Sequence, residues 1–187
     1  MKISLKKFKK VKSTNDTAIK LIKKNFMEPT LIISEKQTCG RGTMGKKWIS
    51  QKGNLFVSIF FKLDQKKINF EQFAILNAYI LREIISKNIR KKINIKWPND
   101  LLYKGKKICG ILQEVISFNQ LNYLIVGIGI NTNIAPQNKS FSSACLKNIV
   151  NKKIDNKKII ELIKKKYEKF LKETKKFNFV QLKKKYG

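Results

Sequence analysis

Apolar residues recur along this chain with two periods, and the changes from one to the other mark out its elements. After Ser13-Thr14-Asn15-Asp16 the run AIKLIKKNF carries Ala18, Ile22 and Phe26 at helical spacing. Ser13 is placed to cap that helix, and Asp16, three residues on, suits its positive end. Thr30–Ser34, TLIIS, reads as a buried strand, and residues 54–63, NLFVSIFFKL, as a second one rich in strand formers. Phe70–Ile89 returns to the helical period and puts Phe73, Leu76, Asn77, Ile80, Ile84 and Ile85 near one face. Strand-like pieces follow at residues 93–97, 107–117 and 123–131, with turns at Lys104-Gly105-Lys106 and at residues 118–122. Residues 155–175 carry an apolar stripe, Ile159, Ile160, Ile163, Tyr167, Phe170 and Leu171, that predicts a helix packed on a sheet. Consecutive strands with flanking helices predict an α+β fold, a mixed and largely antiparallel sheet flanked by helices, in one domain over residues 1–187.

Composition narrows the function classes. With 42% hydrophobic residues in 187, the chain can bury a core, about 70% of its unfolded surface at this size. No apolar run approaches the ~20 residues of a membrane span, and residues 1–12 lack the apolar stretch of a signal peptide, so a cytoplasmic protein with no membrane partner is expected. Cys39, Cys109 and Cys145 show no C-x-x-C spacing and the chain has no His. Neither a disulfide framework nor a Cys/His zinc site is suggested, and any Ser-His or Cys-His nucleophile scheme is excluded.

The formal charge of +30 invites a nucleic-acid reading. Its distribution argues otherwise: the only arginines are Arg41, Arg82 and Arg90, and the lysines spread over helices, turns and both ends beside abundant Ile and Asn. Such a pattern is what an A+T-rich coding sequence produces, so no specific nucleic-acid partner is expected, though attraction to acidic partners should be salt-sensitive.

Candidate chemistry lies in the segments that gather the rare residues. In CGRGTMGKKW, residues 39–48, Gly40, Gly42 and Gly45 spell G-x-G-x-x-G, while Gly40 through Lys46 open a Walker A pattern. A Walker A loop needs Ser or Thr after its lysine, and Lys47 stands there; both patterns should open a helix, and a turn and strand follow instead. Neither applies. What remains is a flexible connection or a ligand flap, with Arg41 and Lys46 for charge and Trp48 for stacking. Lys96-Trp97-Pro98-Asn99-Asp100 reads as a strand end and turn that leaves Asn99 and Asp100 at the tip, with Pro98 keeping Trp97 extended. KICGIL, residues 107–112, opens a strand with Lys107, and GIGIN, residues 127–131, ends one with two glycines. Alone, each admits a bland account: an Asx-type turn, a solvated lysine, or glycines at a bulge.

In this order, STN, QTCGRGTMGKKW, KWPNDLL, KICGIL and GIGIN resemble the catalytic domain of the biotin protein ligase family, from about Phe8 to about Asn133. The resemblance implies the fold shared with lipoate ligases. It also implies ATP-dependent formation of biotinyl-5′-AMP with release of pyrophosphate, then transfer of biotin to a lysine of a biotin carboxyl carrier protein, as for acetyl-CoA carboxylase. Biotin would meet Ser13, Thr14, Asn15, Gln37, Gly40, Arg41, Gly42, Thr43, Lys107 and Gly110. The adenylate would meet Arg41, Lys46, Trp48, Lys107 and Asn131. Lys107, Asp100 and Arg41 would be catalytic: Lys107 neutralises the activated carboxyl-phosphate, Asp100 orients the acceptor lysine, and Arg41 reaches the carboxylate or phosphate. Mg²⁺ is implied with ATP, with ligands unknown. Chemistry of this kind proceeds by positioning and charge neutralisation, so a chain without His loses nothing.

Two departures stand out. Thr43 and Lys46 occupy positions where the family commonly carries arginine, so weaker retention of the intermediate is expected. The chain also leaves no room for an N-terminal winged helix or a C-terminal SH3-like barrel, so neither these domains nor a repressor role is expected. Rival readings are a lipoate or octanoate ligase of the same fold, a non-catalytic basic nucleic-acid-binding module, and an inactive relative. KWPND followed by KICGIL favours biotin over the first, the core positions of most aromatics argue against the second, and intact Lys107, Asp100 and Arg41 argue against the third.

Overall fold

The computed structural model describes residues 1–64, 66–137 and 141–187. Its centre is the antiparallel pair β3, Leu55–Lys62, and β7, Leu121–Ile130, each buried on both faces along nearly its whole length. Around them β1 (Ser4–Phe8), β2 (Thr30–Ser34), β4 (Asn94–Lys96), β5 (Asp100–Tyr103) and β6 (Lys106–Phe118) complete a seven-stranded sheet in the order β1-β2-β3-β7-β6-β5-β4. Only β1 and β2 run parallel, so the sheet is mixed and largely antiparallel as expected.

The unbroken apolar run FVSIFF follows from having partners on both faces. Leu55, Val57, Ile59 and Phe61 of β3, with Val126 and Ile128 of β7, face the main core. That core is closed by α2 (Phe70–Ile89), α3 (Leu146–Val150), α4 (Asn156–Glu173) and α5 (Phe179–Tyr186). Phe60, Tyr123 and Ile125 face the opposite side, where Ala18 and Ile22 of α1 (Thr14–Lys23) cover them. The connections β5–β6 and β6–β7 are two-residue turns with positive φ at both central residues, Lys104-Gly105 and Asn119-Gln120, the geometry that matches strand twist.

Several local expectations shift. Phe26 lies beyond α1: Asn25 turns the chain at φ 62, and Phe26 is exposed with Lys6 Nζ 4.3 Å from its ring centroid. Asp100 opens β5 rather than ending a strand, and the Trp97–Pro98 bond is cis. The helix α4 packs on α2 through Phe170 against Phe73, and its stripe of Ile159, Ile163, Tyr167 and Phe170 joins the core that faces the sheet. Strands β1 and β5 and helices α3 and α5 are too short to show a period, and sequence reading passes over them.

Asn77, on the apolar face of α2, is fully buried and fully bonded. Its Nδ2 donates to Gln113 Oε1 (2.7 Å) and its Oδ1 accepts from the Tyr167 hydroxyl (2.9 Å), while Gln113 Nε2 donates to Phe70 O (2.6 Å). A satisfied buried network of this kind fixes one register of β6 against α2 and α4.

Helix α5 is held by Glu173, which accepts from the Tyr186 hydroxyl (2.7 Å) and pairs with Lys185 Nζ (2.7 Å). Burial works against this carboxylate, but the bonds from Lys185 and Tyr186 outweigh it and keep its pKa below the ordinary glutamate value. A depressed folded pKa contributes stability above the unfolded value of about 4.3, and that contribution disappears as pH falls through the folded value. Thermal melting points should therefore drop on acidification below about pH 4. Glu173→Gln should flatten that dependence in a melting series; an unchanged slope would remove Glu173 from the account.

Candidate active site

The side of the sheet that carries α1 also carries a trough, where Ser58 of β3, Gly127 and Gly129 of β7 and Gly110 of β6 give the sheet little side-chain bulk and let Asn15 and Trp48 pack close to its backbone. The cavity above it measures about 810 Å³. At one end stands the N-terminus of α1. Ser13, Thr14 and Asn15 are all buried, and the Ser13 hydroxyl accepts from Asp16 N (3.4 Å) as the cap. Gln37 Oε1 accepts from the Thr14 backbone N–H (2.8 Å) and hydroxyl (3.1 Å). The Ser58 hydroxyl donates to Asn15 Oδ1 (2.5 Å) and lies 2.7 Å from Thr14 Oγ1. Hydroxyls and carboxamides thus gather at the residues for which the family resemblance implies contact with biotin. Ser58 joins them unannounced, its only sequence signal being a lone polar residue in an apolar strand.

At the other end Lys107 Nζ lies 2.6 Å from Asp100 Oδ1, both side chains about one-fifth exposed. Pairing of β5 with β6 brings these residues together from separate motifs. Asn131 Nδ2 donates to Lys107 O (3.3 Å), while its Oδ1 is buried without a partner among the described residues. Lys107 also lies 5.4 Å from the Trp48 ring centroid, within cation–π range. Behind this wall Cys109 is fully buried, and burial pushes its thiol pKa up. It remains protonated and serves as core.

The glycine loop is folded as a small hairpin. Gly42 N donates to Lys46 O (2.7 Å), Trp48 N to Gly40 O (2.9 Å), and Arg41 pairs with Lys47 around the turn Thr43–Gly45. Gly40 is packed against Ser50 and the Trp48 carbonyl, where a Cβ would come within 2.6 Å of Ser50 Oγ. Gly42, Thr43 and Lys46 line the cavity, and Thr43 Oγ1 accepts from Asn99 Nδ2 (3.4 Å). Trp48 lies across Gly129 and Gly110, filling the space their missing side chains leave; a Cβ on Gly110 would stand 2.6 Å from the indole. The indole Nε1 is buried against Gly129 and, among the described residues, has no hydrogen-bond partner.

Arg41 lines the same cavity. Its guanidinium is bound by Glu114 of β6 and Asp16 of α1. The hydrogen bond with Glu114 leads the causes that raise its pKa.

A profile of the Biotin/lipoate A/B protein ligase family matches residues 7–131, which carry most of the residues that line this trough. The chain belongs to that family. It is 39% identical over 126 residues to the bifunctional ligase/repressor BirA of Bacillus subtilis and 35% identical over 101 residues to BirA of Escherichia coli. These matches take in 66% and 53% of the chain but only 39% and 32% of the two relatives. Among solved structures, the biotin protein ligase from Aquifex aeolicus in complex with biotin and ATP superposes with a TM-score of 0.82 at 31% identity. That likeness covers 98% of this chain and 76% of the other. Among the described residues no helix is long and apolar enough to cross a membrane.

The acids of the trough do not fit a protein-held magnesium site. Asp100 is paired with Lys107, Asp16 and Glu114 with Arg41, and among the described residues no three His, Cys, Asp or Glu side chains gather to hold a metal.

Proposed function

We propose that this chain is a biotin protein ligase that activates biotin with ATP and passes it to a lysine of a biotin carboxyl carrier protein. One observation carries the reading: the Lys107–Asp100 pair and the polar side chains of Thr14, Asn15 and Gln37, backed by buried Ser58, line one cavity together with Gly110, Gly127 and Gly129. The cluster offers both donors and acceptors, as a ureido ring requires, and Lys107 lines the same trough, where it can meet a substrate's carboxylate.

In the first step a carboxylate oxygen of biotin attacks the α-phosphorus of ATP, and the bond to pyrophosphate breaks. Lys107 offsets the negative charge where carboxylate and phosphate meet, and Trp48, Lys46 and Asn131 receive the nucleotide. In the second step the carrier lysine's amine attacks the acyl carbon, the bond to phosphate breaks, and AMP departs. Asp100 orients the amine and takes up its proton. No nucleophile from the chain is needed, which suits a sequence without His.

Incubation with ATP, magnesium, labelled biotin and a carrier domain should label the carrier lysine. Label from octanoate instead, or none, would overturn the reading. Gly127→Ala provides a finer test, because its Cβ would overlap Asn15 Oδ1. The carboxamide would be driven off Ser58, weakening biotin binding by roughly 1–3 kcal/mol in calorimetry with the fold intact; wild-type affinity would refute the role given to Asn15. Thr43→Arg should slow release of biotinyl-5′-AMP in stopped-flow, and equal off-rates would count against a retention role for this position.

A further inference from the structure

The geometry points to Glu114 as a positioning residue: with Asp16 it holds the Arg41 guanidinium, so that Arg41 clasps the glycine hairpin to α1 and β6 instead of serving the phosphates. The inference rests on the ligase reading of the trough and reassigns one of its cations.

Arg41 Nη1 lies 2.8 Å from Glu114 Oε1, Nη2 lies 2.9 Å from Glu114 Oε2, and Nη2 also lies 2.8 Å from Asp16 Oδ1. This is the two-pronged contact that a planar guanidinium makes and an ammonium cannot. It explains why one of only three arginines among 42 basic residues stands here. Glu114 does more than neutralise. Its Oε2 also accepts from Asn15 Nδ2 (2.6 Å), while Asn15 Nδ2 reaches Leu112 O (3.3 Å) and Asn15 Oδ1 is held by Ser58. A single carboxylate therefore ties together the hairpin, the first turn of α1 and the strand that carries Lys107 and Gly110. Without it, Asn15 would lose an anchor and the hairpin would lose its attachment at the base. Acids are scarce in this chain, 12 against 42 bases, and two of them converge on this arginine. The raised pKa of Arg41, led by the Glu114 bond, agrees with the arrangement. Phosphate neutralisation then falls to Lys107 and Lys46.

The test uses Glu114→Gln, Arg41→Ala and the exchanged pair Arg41→Glu/Glu114→Arg. In Glu114→Gln the KM for biotin should rise by roughly tenfold or more, with the KM for ATP and the melting temperature nearly unchanged. The exchanged pair should recover much of the loss. In the absence of any ligand, trypsin should cut after Lys46 or Lys47 several-fold faster in Glu114→Gln than in wild type. A silent Glu114→Gln beside an Arg41→Ala that raises the KM for ATP would assign Arg41 to the phosphates and overturn the clasp. Unchanged trypsin cleavage would overturn it as well. The cleavage arm needs no substrate, so it decides the clasp even if the chain transfers no biotin.

Discussion

Lys107→Ala should lower the rate of biotinyl-5′-AMP formation by roughly 10²–10³-fold, about 3–4 kcal/mol of transition-state stabilisation. The magnitude follows from where the ammonium stands. Its side chain is about one-fifth exposed, it faces the one acid at that end of the trough, and the Trp48 indole flanks it. A cation in such a place acts at lower effective dielectric than in water, and it is already positioned when charge develops. Removing it also strands Asp100, 2.6 Å away, so the loss has two conceivable sources. The double variant Lys107→Ala/Asp100→Asn separates them: if the stranded carboxylate were responsible, the second change would restore adenylation. We expect no restoration, because the missing element is positive charge. Pyrophosphate release at a near-wild-type rate in Lys107→Ala would remove Lys107 from catalysis.

Phe170→Ala should destabilise the chain by roughly 3–5 kcal/mol in urea unfolding, a fall in melting temperature on the order of 10 °C. Phe170 is fully buried at the crossing of three helices, with ring centroids 6.0 Å from Phe73, 6.1 Å from Tyr167 and 5.5 Å from Tyr186, each edge to face. Truncation removes the ring that α2, α4 and α5 share and leaves a hole that none can close alone. Phe170→Leu, which keeps most of the volume, should cost far less. The cluster lies on the face of the sheet away from the trough, so the folded fraction of Phe170→Ala should keep its KM for biotin. A loss under about 1 kcal/mol would mean that α4 is not part of the main core.

How much of this was legible beforehand differs by element. The limits of α2 and the burial of Ile159, Ile163, Tyr167 and Phe170 follow from spacing alone, because a long amphipathic helix repeats its signal over several turns. The four residues of β5 carry no such repetition, and Asp100 was placed on a tip when it belongs to a ladder opposite Gly110. The glycines of the loop show the same division. Their clustering was visible, yet Gly40 is required by Ser50 and a carbonyl of the loop itself. The need for glycine at residues 127 and 129 comes from Asn15 and Trp48, which are over 70 residues away in sequence.

By itself the sequence determined the class of the fold, the main helices and central strands, the exclusion of His-based chemistry, and the motifs that assemble the trough. These are local properties, written in periodicity, composition and short spacings. Only the tertiary structure decided that Ser58 joins the polar cluster of Thr14, Asn15 and Gln37, that Asp100 meets Lys107, and that Arg41 is bound by Glu114 and Asp16. Each of these depends on strand register and on the packing of α1 over the sheet. A charge on a strand has many possible partners until neighbouring strands fix which one lies within about 3 Å.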